Sequence, residues 1–199
     1  MRLAACTPAL PLRIIRCMSS TRESRIQLSP VESTLCTLLD HTCRWVGATD
    51  PAVEIDGNIR RFSELRQGVR SELACEARIA GGWVRDKVCI CLQLLQRASH
   101  DLDVSLSSVT GHVFALLLRE YLFSDAFRNS SLADEVAKHM PDSSAESMSG
   151  IGRIAANPEQ SKNLETATAR VFGVELDFVN LRKEVYEGES RIPTMVRPH

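Results

Sequence analysis

Residues 77–106 read ARIAGGWVRDKVCICLQLLQRASHDLDVSL, and this stretch decides the fold. Its last part, Ser99-His100-Asp101-Leu102-Asp103 and onward, alternates as a β-strand does. On a strand, residues i and i+2 point the same way, so Asp101, Asp103 and Ser105 share one face while Leu102, Val104 and Leu106 share the other. The apolar face suits packing on helices. The polar face sets two carboxylates close together, which is unfavourable unless a cation lies between them. Mg²⁺ takes hard oxygen ligands and binds through one or two carboxylates plus substrate phosphates, as in two-metal phosphoryl-transfer sites. A bare D-x-D also describes an ordinary solvated strand face, because the pattern is short.

Upstream, Ala80-Gly81-Gly82-Trp83-Val84-Arg85-Asp86 reads as strand, two-glycine turn, helix. Glycines let a triphosphate approach backbone N–H groups, and a helix N-terminus favours anions. Arg85, placed on the first helical turn, is within reach of a phosphate oxygen. Two glycines alone describe a plain tight turn equally well. Trp83 is open between stacking on a base and packing in the core, where a large ring gains most from burial. His41, His100, His112 and His139 are scattered, and His100 is open between substrate contact and a surface position.

Working outward, Val31, Leu35, Leu38, Leu39, Cys43 and Val46 recur at helical spacing over 31–47, capped by Ser29-Pro30 and stopped by Thr49-Asp50-Pro51. Residues 59–74 place Phe62, Leu65, Val69 and Leu73 on one stripe, which predicts a second helix. Residues 78–80 predict a strand, Trp83 to about Gln96 a helix, and Thr110–Phe123 another helix. Residues 141–150 are small and polar, hence a loop, and Arg153-Ile154 hints at a strand. Thr166–Val171 and Val174–Leu181 predict two strands around Phe172-Gly173, and the final residues are loop-like. Helices and strands interleave without a parallel crossover rhythm, so the fold class is α+β.

Taken together, ARIAGGWVRDK and SHDLDVSL resemble the class II tRNA nucleotidyltransferases and related bacterial poly(A) polymerases of the DNA polymerase β superfamily. Asn157–Ala167 (NPEQSKNLETA), Val174–Arg182 (VELDFVNLR) and Ser190-Arg191-Ile192-Pro193 are similar to the eukaryotic CCA-adding enzymes. The resemblance spans roughly residues 30–195 and implies a nucleotidyltransferase head with a small mixed sheet backed by helices. It implies that Asp101 and Asp103 act in catalysis and bind Mg²⁺, and that Gly82 and Arg85, with Gly81 shaping the turn, hold the incoming triphosphate. Asp177 stands where relatives often carry another acid. It points away from Leu176 and Phe178, shares its face with Glu175, and is a candidate supporting carboxylate or an ordinary exposed strand acid.

The implied reaction is attack of the tRNA 3′-OH on the α-phosphate of CTP or ATP, with release of pyrophosphate. The implied partners are thus the tRNA 3′ end, CTP and ATP. Departures from the family pattern are equally plain. Val88–Gln93 (VCICLQ) looks like an insertion, and Gln96 stands where a glycine is expected. Six helical residues would rotate the exit by about 240°. The Arg-Arg-Asp segment, the base-selecting acid and arginine, and the helical neck, body and tail are expected to be lacking. This chain alone is therefore expected to add little CCA. Polyadenylation by a sibling enzyme, and a non-catalytic nucleotide-binding remnant, are the rival readings.

Composition excludes several classes. The chain has 199 residues, 44% hydrophobic and 25% charged, at net charge −1, so it is no overall electrostatic trap for nucleic acid. No apolar run approaches the roughly 20 residues of a membrane span, and nothing marks an obligate protein partner. Seven cysteines match no zinc spacing and read as reduced thiols. Residues 1–28 read as a tail and 29–195 as the head. Residues 1–22 hold Arg2, Arg13, Arg16 and Arg22 and no acid before Glu23, the composition of a mitochondrial presequence, although Pro8 and Pro11 interrupt a helix there. A start at Met1 implies mitochondria; a start at Met18 implies the cytoplasm or nucleus. A reporter fused to residues 1–30 should enter mitochondria and one fused to 18–30 should not; identical distributions would refute the presequence reading.

Overall fold

The structure, a computed structural model, describes residues 26–66, 75–91, 102–141, 148–154, 166–180, 182–185 and 195–198. Helix α1 (Pro30–Thr49) begins as the sequence implied. Ser29 Oγ accepts from Glu32 N at 3.3 Å and Glu32 Oε2 accepts from Ser29 N at 2.7 Å, a reciprocal cap over a first-turn proline. Leu35, Leu38, Leu39, Cys43 and Val46 form its buried stripe. The helix ends where Asp50 turns left-handed, with φ 45°; its carboxylate then accepts from Ser63 N at 2.7 Å and Ser63 Oγ at 2.9 Å.

A hairpin stands where the helix expected over 59–74 should begin. It is formed by strands β1 (Ala52–Ile55) and β2 (Asn58–Arg61) and leads into a single turn, α2 (Phe62–Leu65); residues 67–74 lie outside the described residues. Asp56 and Gly57 have φ 50° and 77°, the left-handed pair that two-residue hairpin turns need. That local turn takes Ile59–Arg61 away from the helical stripe.

The remaining elements are β3 (Ala77–Ala80), α3 (Gly81–Cys91), β4 (Leu102–Leu106), α4 (Gly111–Phe123), α5 (Asp125–Arg128), α6 (Ser131–His139), β5 (Met148–Ile154), β6 (Thr166–Val171), β7 (Val174–Asn180), β8 (Arg182–Val185) and β9 (Met195–Pro198). Here α3 starts at Gly81 rather than at Trp83, so Arg85 stands on its second turn. Val88–Cys91 of the stretch read as an insertion continue α3, while Leu92, Gln93 and Gln96 lie outside the described residues, as do residues 157–163 and 190–193. The loop expected over 141–150 gives way to strand at Met148, where glycines and a register shift between Ser149 and Gly152 remove the alternation that would have signalled it. The final residues, expected to be loop-like, pair as the antiparallel strands β8 and β9.

Five strands form one sheet in the order β3-β4-β7-β6-β5, with β4 and β7 parallel and the other pairs antiparallel. With helices on it, this mixed sheet is the α+β class that the sequence predicted. The β6–β7 turn falls at Phe172 and Gly173, with φ 47° and 82°. One sheet face buries Leu102, Val104, Ala167, Ala169, Val171, Leu176 and Phe178; α4 packs on β5, β6 and β7, and α1 packs against α4 and α6. Phe114 of α4 meets Phe178 with ring centroids 5.4 Å apart. Each such fully buried ring contributes about 1.5–3 kcal/mol relative to exposure. Among the described residues no helix is long and apolar enough to cross a membrane. Cys36, Cys43, Cys75 and Cys89 are free of disulfides; a hydrogen bond with Cys43 and burial push the Cys75 thiol well above its ordinary pKa.

Helix α4 comes very close to the sheet at its first residue. A β-carbon on Gly111 would lie 2.4 Å from the Phe178 carbonyl oxygen, a backbone atom in mid-sheet that cannot step aside. Gly111→Ala should therefore destabilise the fold by about 1–3 kcal/mol, read by urea unfolding; an unchanged midpoint would contradict this packing.

Candidate functional site

Register across the sheet assembles the site. Ala80 pairs with Asp103, Asp103 with Asp177, Asp177 with Thr168, and Thr168 with Gly152. Paired residues on neighbouring strands project to the same side, and strands lie about 4.8 Å apart. Asp103 and Asp177 therefore stand side by side, half-buried, on the face opposite to Val104 and Phe178. The register is held by the other face: Leu102, Val104, Leu176 and Phe178 are buried, and a slip of one residue would turn them to solvent.

Three neighbours define the surroundings. Thr168 Oγ1 donates to Asp177 Oδ1 at 2.6 Å, orienting that carboxylate. Ser105 is buried and donates to the Arg78 carbonyl at 3.1 Å, so it ties β4 to β3 rather than facing a ligand. Gly81 is exposed, has φ 74°, and lies against Asp103: a β-carbon there would sit 1.8 Å from Asp103 Oδ2 and 2.8 Å from Cγ. No other residue both adopts that backbone and leaves that space. The glycine turn and the acid row are thus one place.

Of the residues singled out in the sequence, the structure brings together Gly81, Asp103 and Asp177, with Gly82 next in the turn. Arg85 is on the exposed flank of α3, where Nε and Nη2 both reach Asp86 Oδ1, at 3.0 and 2.9 Å. Asp101 immediately precedes β4 and lies outside the described residues, as does His100. Among the described residues no three His, Cys, Asp or Glu side chains gather at one point. Two adjacent carboxylates beside an open glycine backbone nevertheless fit a hard divalent cation, which takes few protein ligands and keeps its remaining positions for water and phosphate.

Sequence reading missed two contributors. Thr168 carried no signal beyond its place on a strand facing Asp177. Glu32 was legible as the acid of a cap, but not as the acceptor for Trp83 Nε1 at 3.0 Å and Lys87 Nζ at 2.8 Å. Trp83 is buried, which settles its role in favour of packing. Burial alone would raise the Glu32 pKa, but hydrogen bonds from Lys87 and Ser29 and the Lys87 charge outweigh it and hold the carboxyl below its ordinary value.

Comparison with known proteins gives the class first: the chain is related to the tRNA nucleotidyltransferases. More closely, it is 37% identical over 171 residues to the mitochondrial CCA tRNA nucleotidyltransferase of Candida glabrata, covering 85% of this chain and 24% of that protein. It is 37% identical over 172 residues to tRNA nucleotidyltransferase cca2 of Schizosaccharomyces pombe (86% and 28%). It is 46% identical over 116 residues to the mitochondrial CCA tRNA nucleotidyltransferase of Saccharomyces cerevisiae (58% and 17%). The chain thus spans about a quarter of the length of the first two relatives. No family model and no solved structure matches it.

The contact between Gly81 and Asp103 can be measured in solution. Gly81→Ala should cost about 2 kcal/mol or more, from backbone strain plus the clash. In an Asp103→Ala background the loss should shrink by about 1 kcal/mol, the coupling expected of touching groups. Strictly additive effects in a urea double-mutant cycle would show that the two residues do not meet.

Proposed function

We propose that this chain carries the nucleotide-transfer head of a CCA tRNA nucleotidyltransferase, with CTP and ATP as donors, the tRNA 3′ end as acceptor and Mg²⁺ as cofactor. The observation that carries this reading is the Asp103–Asp177 row abutting the Gly81 backbone. Its support from outside is the similarity to enzymes named for that reaction.

Asp103 and Asp177 would hold the divalent cation, with Asp101 as the third carboxylate that the family resemblance supplies. When bound, the cation balances the carboxylates and offsets charge that develops on the triphosphate. The remaining roles belong to the chain. Gly81 and Gly82 present backbone without side chains, so the triphosphate can approach the N–H groups that open α3, where the helix dipole favours an anion. Arg85, exposed and paired with its neighbour Asp86, would turn to a phosphate oxygen. Thr168 would keep Asp177 aimed along the row. The transfer forms a bond from the tRNA 3′ oxygen to the α-phosphorus and breaks the bond to the bridging oxygen, releasing pyrophosphate. Such chemistry depends on positioning and electrostatics rather than on a protein nucleophile.

The form beginning at Met1 would act in mitochondria, as two relatives named mitochondrial suggest, and a form beginning at Met18 in the cytoplasm or nucleus. The central test is calorimetric titration of the purified chain with ATP and CTP. Binding should require Mg²⁺, and Asp103→Ala and Asp177→Ala should each weaken it by about tenfold or more, the scale of a lost charge-assisted contact. Metal-independent binding, unchanged in both variants, would overturn the assignment.

A further inference from the structure

Helix α3 carries the triphosphate turn, yet little of α3 is buried. Of its eleven residues only Trp83 and Asp86 are inside. It leaves the sheet through Gly81-Gly82, the most permissive pair of residues a backbone can have. Glycines allow the turn but do not fix the direction in which the helix departs. Something outside the turn must set that direction if the first amides of α3 are to converge on phosphates.

The acid on the first turn of α1 does so. Glu32 Oε1 accepts from Trp83 Nε1 at 3.0 Å, and Glu32 Oε2 accepts from Lys87 Nζ at 2.8 Å and from Ser29 N at 2.7 Å. Lys87 Nζ also lies over the Trp83 ring, 5.2 Å from its centroid. Trp83 is 6% exposed, and the Glu32 and Lys87 side chains are 17% and 15% exposed. A buried indole N–H needs an acceptor, a sheltered carboxylate needs a cation, and the cation rests on the ring. The network closes on itself, which is the condition under which a sheltered polar cluster rigidifies rather than weakens a structure. Trp83 and Lys87 are one turn apart on α3, so two points on the helix are fixed to one point on α1. Two fixed points define an axis. Trp83 follows Gly82 directly, and Arg85 lies between the two anchors.

We propose that Glu32 is a positioning residue for the triphosphate turn: through Trp83 and Lys87 it fixes the course of α3 away from Gly82, and so the aim of the amides and of Arg85. The inference rests on reading that turn as a triphosphate site. Glu32 itself touches no substrate.

The competing account is that Glu32 acts only through the cap of α1, and Ser29→Ala separates the two, because it removes the Oγ that accepts from Glu32 N and weakens the cap while leaving the Glu32 bonds to Trp83 and Lys87 in place. Titrate the chain, Glu32→Ala, Glu32→Gln and Ser29→Ala with ATP and Mg²⁺, and record the Tm of each. Glu32→Ala should weaken binding by about tenfold, the scale of lost hydrogen bonds to a charged group. Glu32→Gln keeps one acceptor oxygen, enough for the Trp83 bond but not for Ser29 and Lys87 as well, and should recover part of that loss. Ser29→Ala should lower Tm and leave affinity as it was. Should Glu32→Ala bind as the unaltered chain does, or should Ser29→Ala weaken binding as much, the positioning role is wrong while the site reading stands. If the unaltered chain binds no nucleotide, the site reading falls and takes this inference with it.

Discussion

The structure depends on the crowding of one carboxylate. Asp103 has a glycine backbone against one flank and Asp177 beside the other, in a row set by strand register. A β-carbon at Gly81 would occupy the same space as the Asp103 oxygen. Two like charges on neighbouring strands repel, and in a half-buried setting they are stable only with partners or a cation. Thr168 supplies one such partner for Asp177. The burial of Leu102, Val104, Leu176 and Phe178 in the core is what forces the acids together, since the apolar face fixes register and the polar face inherits it.

Much of this was legible in the residues, where the signal is local. The cap and stripe of α1, the alternation of β4, the amphipathic run of α4 and the β6–β7 turn are all short-range patterns, and the structure has them where expected. Other elements were not, for physical reasons. Asp56-Gly57 specifies a hairpin, but the charged residues after it keep a helical spacing, and the turn overrides the periodicity. Helix α6 shows its apolar spacing only in Leu132 and Val136, too few to stand out. The parallel pairing of β4 with β7 joins segments far apart in the chain, which local patterns do not encode. Asp177 was therefore nameable as a strand acid facing away from the core, but its place beside Asp103 comes from the parallel register alone.

The stretch after Lys87 that the sequence marks as a departure is helical as far as Cys91. Val88–Cys91 form the last turn of α3, and β3 and β4 are paired, with Ala80 opposite Asp103. The relation between turn and acid is thus set by antiparallel strand pairing and by the missing β-carbon of Gly81. The same reasoning accounts for Glu32: a helix that leaves through two glycines takes its course from its anchors, here a sheltered ion pair and an indole hydrogen bond.

The most direct measurement is paramagnetic broadening of backbone amide signals by Mn²⁺, a hard divalent cation that substitutes for Mg²⁺ at oxygen sites. With ATP present, the amides of Gly81, Gly82, Asp103 and Asp177 should broaden at manganese concentrations that leave the exposed acids Asp134 and Glu135 of α6 sharp. Broadening at Asp134 and Glu135 with Gly81, Asp103 and Asp177 unaffected would contradict the account, because the acid row and the glycine turn would then hold no cation.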